Sequence, residues 1–201
     1  MQAGEMKLSV VMVSAGIEEW DLFTVPAIES MNKYAHADEF IVVDNGGLGR
    51  GQVNTATMVP YAEAVNMGAQ QATGNCLLIL NNDITATGHW LEPIWQQAET
   101  LRYGGPVLLQ KEGTTYVEGW CVFILRYAWH HLGGFNTVFK NSWEDVDLAF
   151  RLACMGIHPT HLRLPFSHIW GATRNRHLGS DQWFEQNRRY FLDRVSEWRK
   201  E

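Results

Sequence analysis

Cys76-Leu-Leu-Ile-Leu-Asn-Asn-Asp83 is the stretch that decides the fold. An unbroken apolar run suits a strand covered on both faces, the pattern of a parallel sheet, and the abrupt change to carboxamide and carboxylate side chains marks its carboxyl end. Two upstream segments repeat the pattern. Leu8-Ser-Val-Val-Met-Val13 ends at Ser14-Ala15-Gly16, and Phe40-Ile-Val-Val43 ends at Asp44-Asn45-Gly46-Gly47, where Asn and Gly suit a tight turn. A polar loop then runs to about Asn54. Helices are expected from roughly Glu18 to Tyr34, from Tyr61 to Ala72, and from His89 to Leu101. In the second of these, Ala62, Val65 and Ala69 fall at helical spacing and Gly74 supplies a stop signal. Three strand-to-helix units in succession predict an α/β domain whose central sheet is mainly parallel and flanked by helices. Ligands of such sheets bind beyond the carboxyl ends of the strands, so Ser14, Asp44 and Asp83 are expected to converge on one crevice.

The second half is organised differently. Strands are expected near Pro106 to Gln110 and Tyr116 to Leu125, then a Gly-rich loop, a helix from Glu144 to Met155, and a last strand at His161 to Pro165 leading into Phe166-Ser-His168. Beyond Gly171 the chain turns basic and polar (Arg174, Arg176, His177) before an amphipathic helix from about Ser180 to Arg199. The 201 residues fit a single domain over 1–201, with no internal repeat and no low-complexity linker.

Sixteen Lys and Arg against 22 Asp and Glu give a net charge of -6, without the basic excess of proteins that bind phosphate backbones, so nucleic acid is not an expected partner. Cys76, Cys121 and Cys154 are odd in number and widely spaced. They read as reduced, buried thiols of a cytoplasmic protein. The apolar run Leu8 to Val13 is too short for a transmembrane segment, which limits membrane contact to a peripheral kind. Nine Trp is high for this length; Trp120, Trp143 and Trp170 lie in expected loops, where an indole either stacks on a sugar ring or fills a core.

Asn81-Asn82-Asp83 has two readings: an Asx turn capping the next segment, or a site where Asp83 binds a hard divalent cation shared with substrate phosphates. Glu144-Asp145-Val-Asp147 puts three carboxylates at a helix start, where the dipole stabilises negative charge. A carboxylate facing the crevice there would serve as a general base toward an attacking hydroxyl, and Asp145 is the candidate. His168, taken by itself, reads as a hydrogen-bonded structural residue. Zinc-type His and Cys spacings, the nucleophile elbow, the P-loop and the dinucleotide fingerprint are all missing from the sequence.

Taken in order, these pieces resemble the family-2 glycosyltransferases of the GT-A fold, particularly the small bacterial members that act on polysaccharides. The likeness runs from about Leu8 to Trp170. It is carried by Ile41-Val-Val-Asp-Asn-Gly46, Ala64-Val-Asn-Met-Gly68, Leu77-Leu-Ile-Leu-Asn-Asn-Asp-Ile84, Val117-Glu-Gly119, Leu132-Gly-Gly-Phe-Asn136, Glu144-Asp-Val-Asp-Leu148 and His168. The resemblance implies a Rossmann-like GT-A sheet, with residues about 8–110 binding nucleotide, about 111–175 forming the acceptor and catalytic half, and a C-terminal helix over about 180–199. It implies a nucleotide-sugar donor, UDP- or dTDP-linked, contacted by Ser14, Asp44, Asn66, Asn82 and Asp83. It also implies a divalent cofactor, Mn²⁺ or Mg²⁺, held by Asp83, His168 and Asn81; Asn81 stands where the family has Asp, which removes one anionic ligand. Asp145 matches the family's base, with Glu144 shaping the site beside it. The implied reaction is inverting transfer to a hydroxyl of a glycan or other acceptor, with Arg174 and Arg176 in a closing loop. The alternative is a GT-A module that binds nucleotide-sugar or glycan without turnover.

Overall fold

The computed structural model describes residues 6–97, 99–169 and 181–198. In chain order, strand β1 (Leu8–Ala15) leads through a π-helical turn (Trp20–Thr24) into α1 (Val25–Asn32) and returns as β2 (Glu39–Asn45). Next come β3 (Val53–Thr55), α2 (Tyr61–Gln71), β4 (Cys76–Asn81), β5 (Ile84–Ala86) and α3 (Glu92–Gln96). The second half holds β6 (Tyr103–Gly105), β7 (Leu108–Lys111), β8 (Thr114–Val117), β9 (Cys121–Leu125), α4 (Arg126–Leu132) and α5 (Glu144–Cys154). It closes with β10 (Thr160–His161), β11 (Phe166–His168) and a C-terminal helix, α6 (Asp181–Trp198).

Seven strands form one sheet in the order β10-β6-β9-β4-β1-β2-β3. Neighbours are parallel except where β9 runs antiparallel between β4 and β6. This is the mainly parallel, helix-flanked α/β sheet expected from the apolar runs. β1 lies near its centre and is buried along its whole length, as a strand covered on both faces must be.

Alternate side chains feed two cores. Val11, Val13, Leu77, Ile79, Val122 and Ile124 pack with Val65, Ala69, Leu148, Leu152 and Phe191 of α2, α5 and α6. Val10, Met12, Leu78, Leu80 and Phe123 pack with Ala27, Met31, Trp90 and Ile94 around α1 and α3. Gly68 lets α2 lie close on the sheet: a Cβ there would stand 2.7 Å from Val11 Cγ1 and 2.8 Å from Val43 Cγ2.

Several elements differ from the expectations. The first helix is shorter, beginning as a π-helical turn and ending at Asn32. The helix expected over His89 to Leu101 shrinks to Glu92–Gln96, because Trp90 is fully buried with its indole N–H donated to Met31 O, which ties the preceding residues to α1. The polar loop before α2 contains β3. The strand expected over Tyr116 to Leu125 breaks at Glu118–Trp120 into β8 and β9, and the region read as a Gly-rich loop begins with α4. The strand expected at His161 to Pro165 divides into β10 and β11 around a link whose N–H groups bond two residues back, Leu164 to Leu162 O and Phe166 to Leu164 O, since Pro165 has no N–H for a ladder. Cys76 and Cys121 are buried as read, but Cys154, the last residue of α5, is exposed; all three are free. Among the described residues no helix is long and apolar enough to cross a membrane.

Candidate active site

A cavity of about 460 Å³ opens beyond the carboxyl ends of β1, β2 and β4. Val13, Ala15, Asn45, Asn81 and Asn82 of the strand ends form its floor, Met58 to Tyr61 one wall, and Gly119, Trp120, Asn141, Ser142, Glu144 and Asp145 the facing wall. Ser14 and Asp44 do not line it. They are paired across β1 and β2, one position before Ala15 and Asn45, and a strand turns successive side chains to opposite faces. Asp44 is fully buried; its Oδ2 accepts the Arg50 N–H at 2.9 Å, while Oδ1 has no hydrogen-bond partner. A Cβ at position 47 would overlap that same Oδ1, so Gly47 is what leaves room for the carboxylate. Ser14 Oγ is likewise buried and unpartnered. The amide of Asn45 is spent on the loop before α2, donating to Val59 O and accepting from Val59 N and Thr55 Oγ1.

At the end of β4 the three polar side chains take three directions. Asn81 Oδ1 accepts from the Tyr61 hydroxyl at 3.2 Å, and its N–H donates to Trp120 O at 2.8 Å. Asn82 turns toward the π-helical turn, donating to Glu19 Oε2 and Thr24 Oγ1, both at 3.1 Å. Asp83 is buried, and the pairing of β11 with β5 carries His168 to it: Nε2 stands 3.3 Å from Asp83 Oδ1. Neither atom has a hydrogen-bond partner, so at this short separation the two do not share an aligned proton. The imidazole is fixed by stacking on Trp120, with centroids 4.6 Å apart and planes 7° from parallel, and Trp120 is tied by its Nε1–H to Glu118 Oε2 at 2.9 Å.

A buried carboxylate oxygen and an imidazole nitrogen that face each other with no hydrogen bond between them form an O/N donor pair suited to a divalent cation. The residues present therefore fit such an ion as a two-ligand site. Asn81 has its carbonyl occupied by Tyr61, and among the described residues no group of three or more His, Cys, Asp and Glu gathers around one point. Further ligands would come from a substrate or from water.

The acidic start of α5 supplies the facing wall. Asp145 Oδ2 accepts the Gly119 N–H at 3.0 Å and Oδ1 accepts the Val146 N–H at 2.9 Å, which leaves lone pairs free on a carboxylate. Burial raises its pKa to about 6 against the opposing pull of those two N–H groups. Burial, and next the Asp145 charge, push Glu144 further, to about 8. Glu144 Oε2 is buried without a partner. The residue before it, Trp143, is left-handed at φ +74°, a conformation that costs a bulky side chain on the order of 1–3 kcal/mol. Trp143 is a core residue, whereas Trp120 lines the cavity.

Asp147 points elsewhere. Its Oδ2 accepts from Arg151 Nε at 2.6 Å, and the same guanidinium donates to Leu132 O and Gly134 O, pinning the glycine turn. Asn66 is also part of that pin: it exchanges two hydrogen bonds with the Phe135 backbone, at 2.8 and 2.9 Å, and lines a second cavity of about 350 Å³ rather than the first. Trp170, Arg174 and Arg176 lie outside the described residues. Sequence reasoning overlooked Tyr61, Glu19, Arg50 and Asn187. Tyr61 carries a local signal, an aromatic hydroxyl at the first turn of a helix that follows the second strand, and the Arg50 N–H reaches Asp44 within one turn of chain, whereas Glu19 meets Asn82 and Asn187 meets Ser142 across long stretches of sequence.

No protein-family model matches the chain. Among curated proteins it is similar to the O-antigen biosynthesis protein RfbC of Myxococcus xanthus, at 27% identity over 48% of this chain and 11% of that protein. Among solved structures it is similar to the mannosyltransferase PcManGT from Pyrobaculum calidifontis in complex with GDP-Man and Mn²⁺, with a TM-score of 0.62 and 16% identity over 78% of this chain and 55% of that one. It is similar also to GalNAc-T7 with UDP, GalNAc and Mn²⁺, with a TM-score of 0.67 and 14% identity over 82% of this chain and 44% of that one. The chain thus spans about a tenth of the curated relative and about half of each structure. The fold is GT-A.

Proposed function

We propose that this chain is a metal-dependent, inverting glycosyltransferase of family-2 type, which moves a sugar from a UDP- or dTDP-sugar to a hydroxyl of a glycan. One observation carries the reading: the Asp145 carboxylate lines the cavity at the strand ends of a GT-A sheet, and the Asp83–His168 donor pair lies just outside it, next in the chain to its Asn82 and stacked on its Trp120. The solved relatives supporting it were captured with a nucleotide or nucleotide-sugar and Mn²⁺.

On this reading Asp83 and His168 would hold the cation, and Asp44 Oδ1, unpartnered and given room by Gly47, is the acceptor for a pyrimidine N–H. A bound cation neutralises charge that develops on the leaving diphosphate. Asp145 takes the proton of the acceptor hydroxyl as its oxygen bonds to the anomeric carbon. The bond from that carbon to the diphosphate oxygen breaks, its electron pair leaves with the diphosphate, and the anomeric centre inverts. Glu144 and Trp120 shape the wall against which the sugar lies.

The test is thermal unfolding with UDP, dTDP, GDP and CMP, each with Mn²⁺ and with EDTA. A ligand at about 100 times its dissociation constant stabilises the fold by roughly 2.7 kcal/mol, enough to shift the midpoint by several degrees. A shift with UDP or dTDP that requires Mn²⁺ is expected. A shift with GDP instead would move the donor class, and no shift with any nucleotide would remove the donor site. Binding without transfer to any acceptor or to water would leave a binding module.

A further inference from the structure

Loop 139–143 lies between the cavity and α6. Asn141 and Ser142 form part of the cavity wall, and Glu144 and Asp145 follow directly. The backbone is left-handed at Asn141 (φ +56°) and at Trp143 (φ +74°), and neither is glycine. Residues keep such conformations only where the surroundings fix them. Toward the cavity the fixing contact is Asn141 Oδ1, which accepts the Tyr61 N–H at 3.2 Å. On the opposite side it is α6. Asn187, exposed by only 4%, donates from Nδ2 to Ser142 O at 3.0 Å and Ser142 Oγ at 2.9 Å, with Lys140 O at 3.3 Å. Phe184 and Phe191 of the same helix pack on the Trp143 ring, with centroids 5.5 and 5.4 Å away.

We infer that Asn187 is a positioning residue: its amide latches loop 140–142 to the C-terminal helix and so directs Glu144 and Asp145 into the cavity, toward the acceptor. The inference rests on the proposed glycosyl transfer. The direction in which the first side chains of α5 leave the turn is set by the torsions at 141 and 143. Released from Asn187, the loop relaxes toward ordinary right-handed torsions and the two carboxyl groups swing off the wall. Asp83 and His168 keep their places, because the β5–β11 pairing and the Trp120 stack hold them. Loss of the latch therefore lowers turnover and spares donor binding.

Asn187→Ala and the isosteric Asn187→Asp, which has no N–H to donate, are compared with wild type. The readouts are peptide-resolved hydrogen exchange, nucleotide affinity with Mn²⁺, and kcat and KM for transfer of the donor sugar to acceptor or to water. Exchange across 139–147 is expected to speed up about tenfold or more while peptides of β1 and β4 stay unchanged. In the same variants kcat is expected to fall about tenfold or more, with nucleotide affinity held within about twofold. The Asp variant decides if the Ala variant does not fold. Unchanged exchange in the loop overturns the latch, as does a loosened loop with wild-type kcat, or exchange that rises equally in β1 and β4. If wild type transfers sugar to nothing, the transfer reading falls, and the exchange measurement alone decides whether Asn187 holds the loop.

Discussion

Asp145→Asn is expected to cut sugar transfer by about 10²- to 10⁴-fold, the usual contribution of a positioned general base, while nucleotide affinity with Mn²⁺ stays near wild type. The substitution keeps the shape of the side chain. It also keeps a carbonyl oxygen able to accept the Gly119 or Val146 N–H that orients the carboxylate, so the wall of the cavity survives. What is lost is the oxygen basic enough to take a proton. Of the two adjacent carboxyl groups, only Asp145 is suited to this at neutral pH. Two backbone N–H groups favour the ionised form of Asp145 against the burial that raises its pKa to about 6, whereas Glu144, pushed further up to about 8 by burial and by its charged neighbour, favours its neutral form. The sign follows for the pH profile. A base works only when ionised, so wild-type kcat/KM is expected to be present above about pH 6 and to fall about tenfold per pH unit below it, and this acid limb should vanish from the residual activity of the Asn variant. Steady-state transfer assays across pH 5 to 9, paired with nucleotide titrations, check both statements. Turnover left unchanged in the variant would take Asp145 out of the role; nucleotide binding lost in the same proportion would mean that the site itself had been damaged.

The division between what was legible and what was not follows the range of the interactions. β1, β2 and β4 announce themselves because burial on both faces demands unbroken apolar runs, and the polar residues that end those runs mark the carboxyl edge where the cavity lies. β3, β5, β10 and β11 have only two or three residues each, too few for any periodicity to register, and they exist because a neighbouring strand offers hydrogen bonds. The same holds for side chains. Asp145 and Asp83 could be picked out by type and place. Asp147 carries one local sign, Arg151 a turn further along the same helix, with which it pairs; only the fold shows that this guanidinium then reaches the glycine turn and that Asp145 lines the cavity. Asn66 looked like a ligand contact in its motif, but its two backbone hydrogen bonds to Phe135 depend on a segment 69 residues away. His168, unremarkable by itself in the sequence, acquires its place from β5 beneath it and Trp120 against its face.

That arrangement makes Asp83→Ala the sharpest probe of the metal. Asp83 contributes the only carboxylate of the donor pair, and His168 alone offers a single nitrogen, which holds a hard cation such as Mn²⁺ or Mg²⁺ poorly. The variant is expected to weaken nucleotide binding in Mn²⁺ by about 100-fold or more, equivalent to roughly 2.7 kcal/mol, and to leave binding in EDTA unchanged. The contrast between the two conditions is what discriminates. If Asp83 and His168 were simply a buried polar pair, removing the carboxylate would lower the thermal midpoint and any nucleotide affinity alike with and without metal. If they are ligands, the midpoint in EDTA moves little, because two groups that share no hydrogen bond contribute little to each other's stability. Calorimetric titration of UDP or dTDP into wild type and variant, with Mn²⁺ and with EDTA, separates the cases, and the electron paramagnetic resonance signal of Mn²⁺ in the absence of nucleotide reports the ion directly. Equal loss in EDTA would refute the assignment of Asp83 as a ligand while leaving the Asp145 base to stand on its own test.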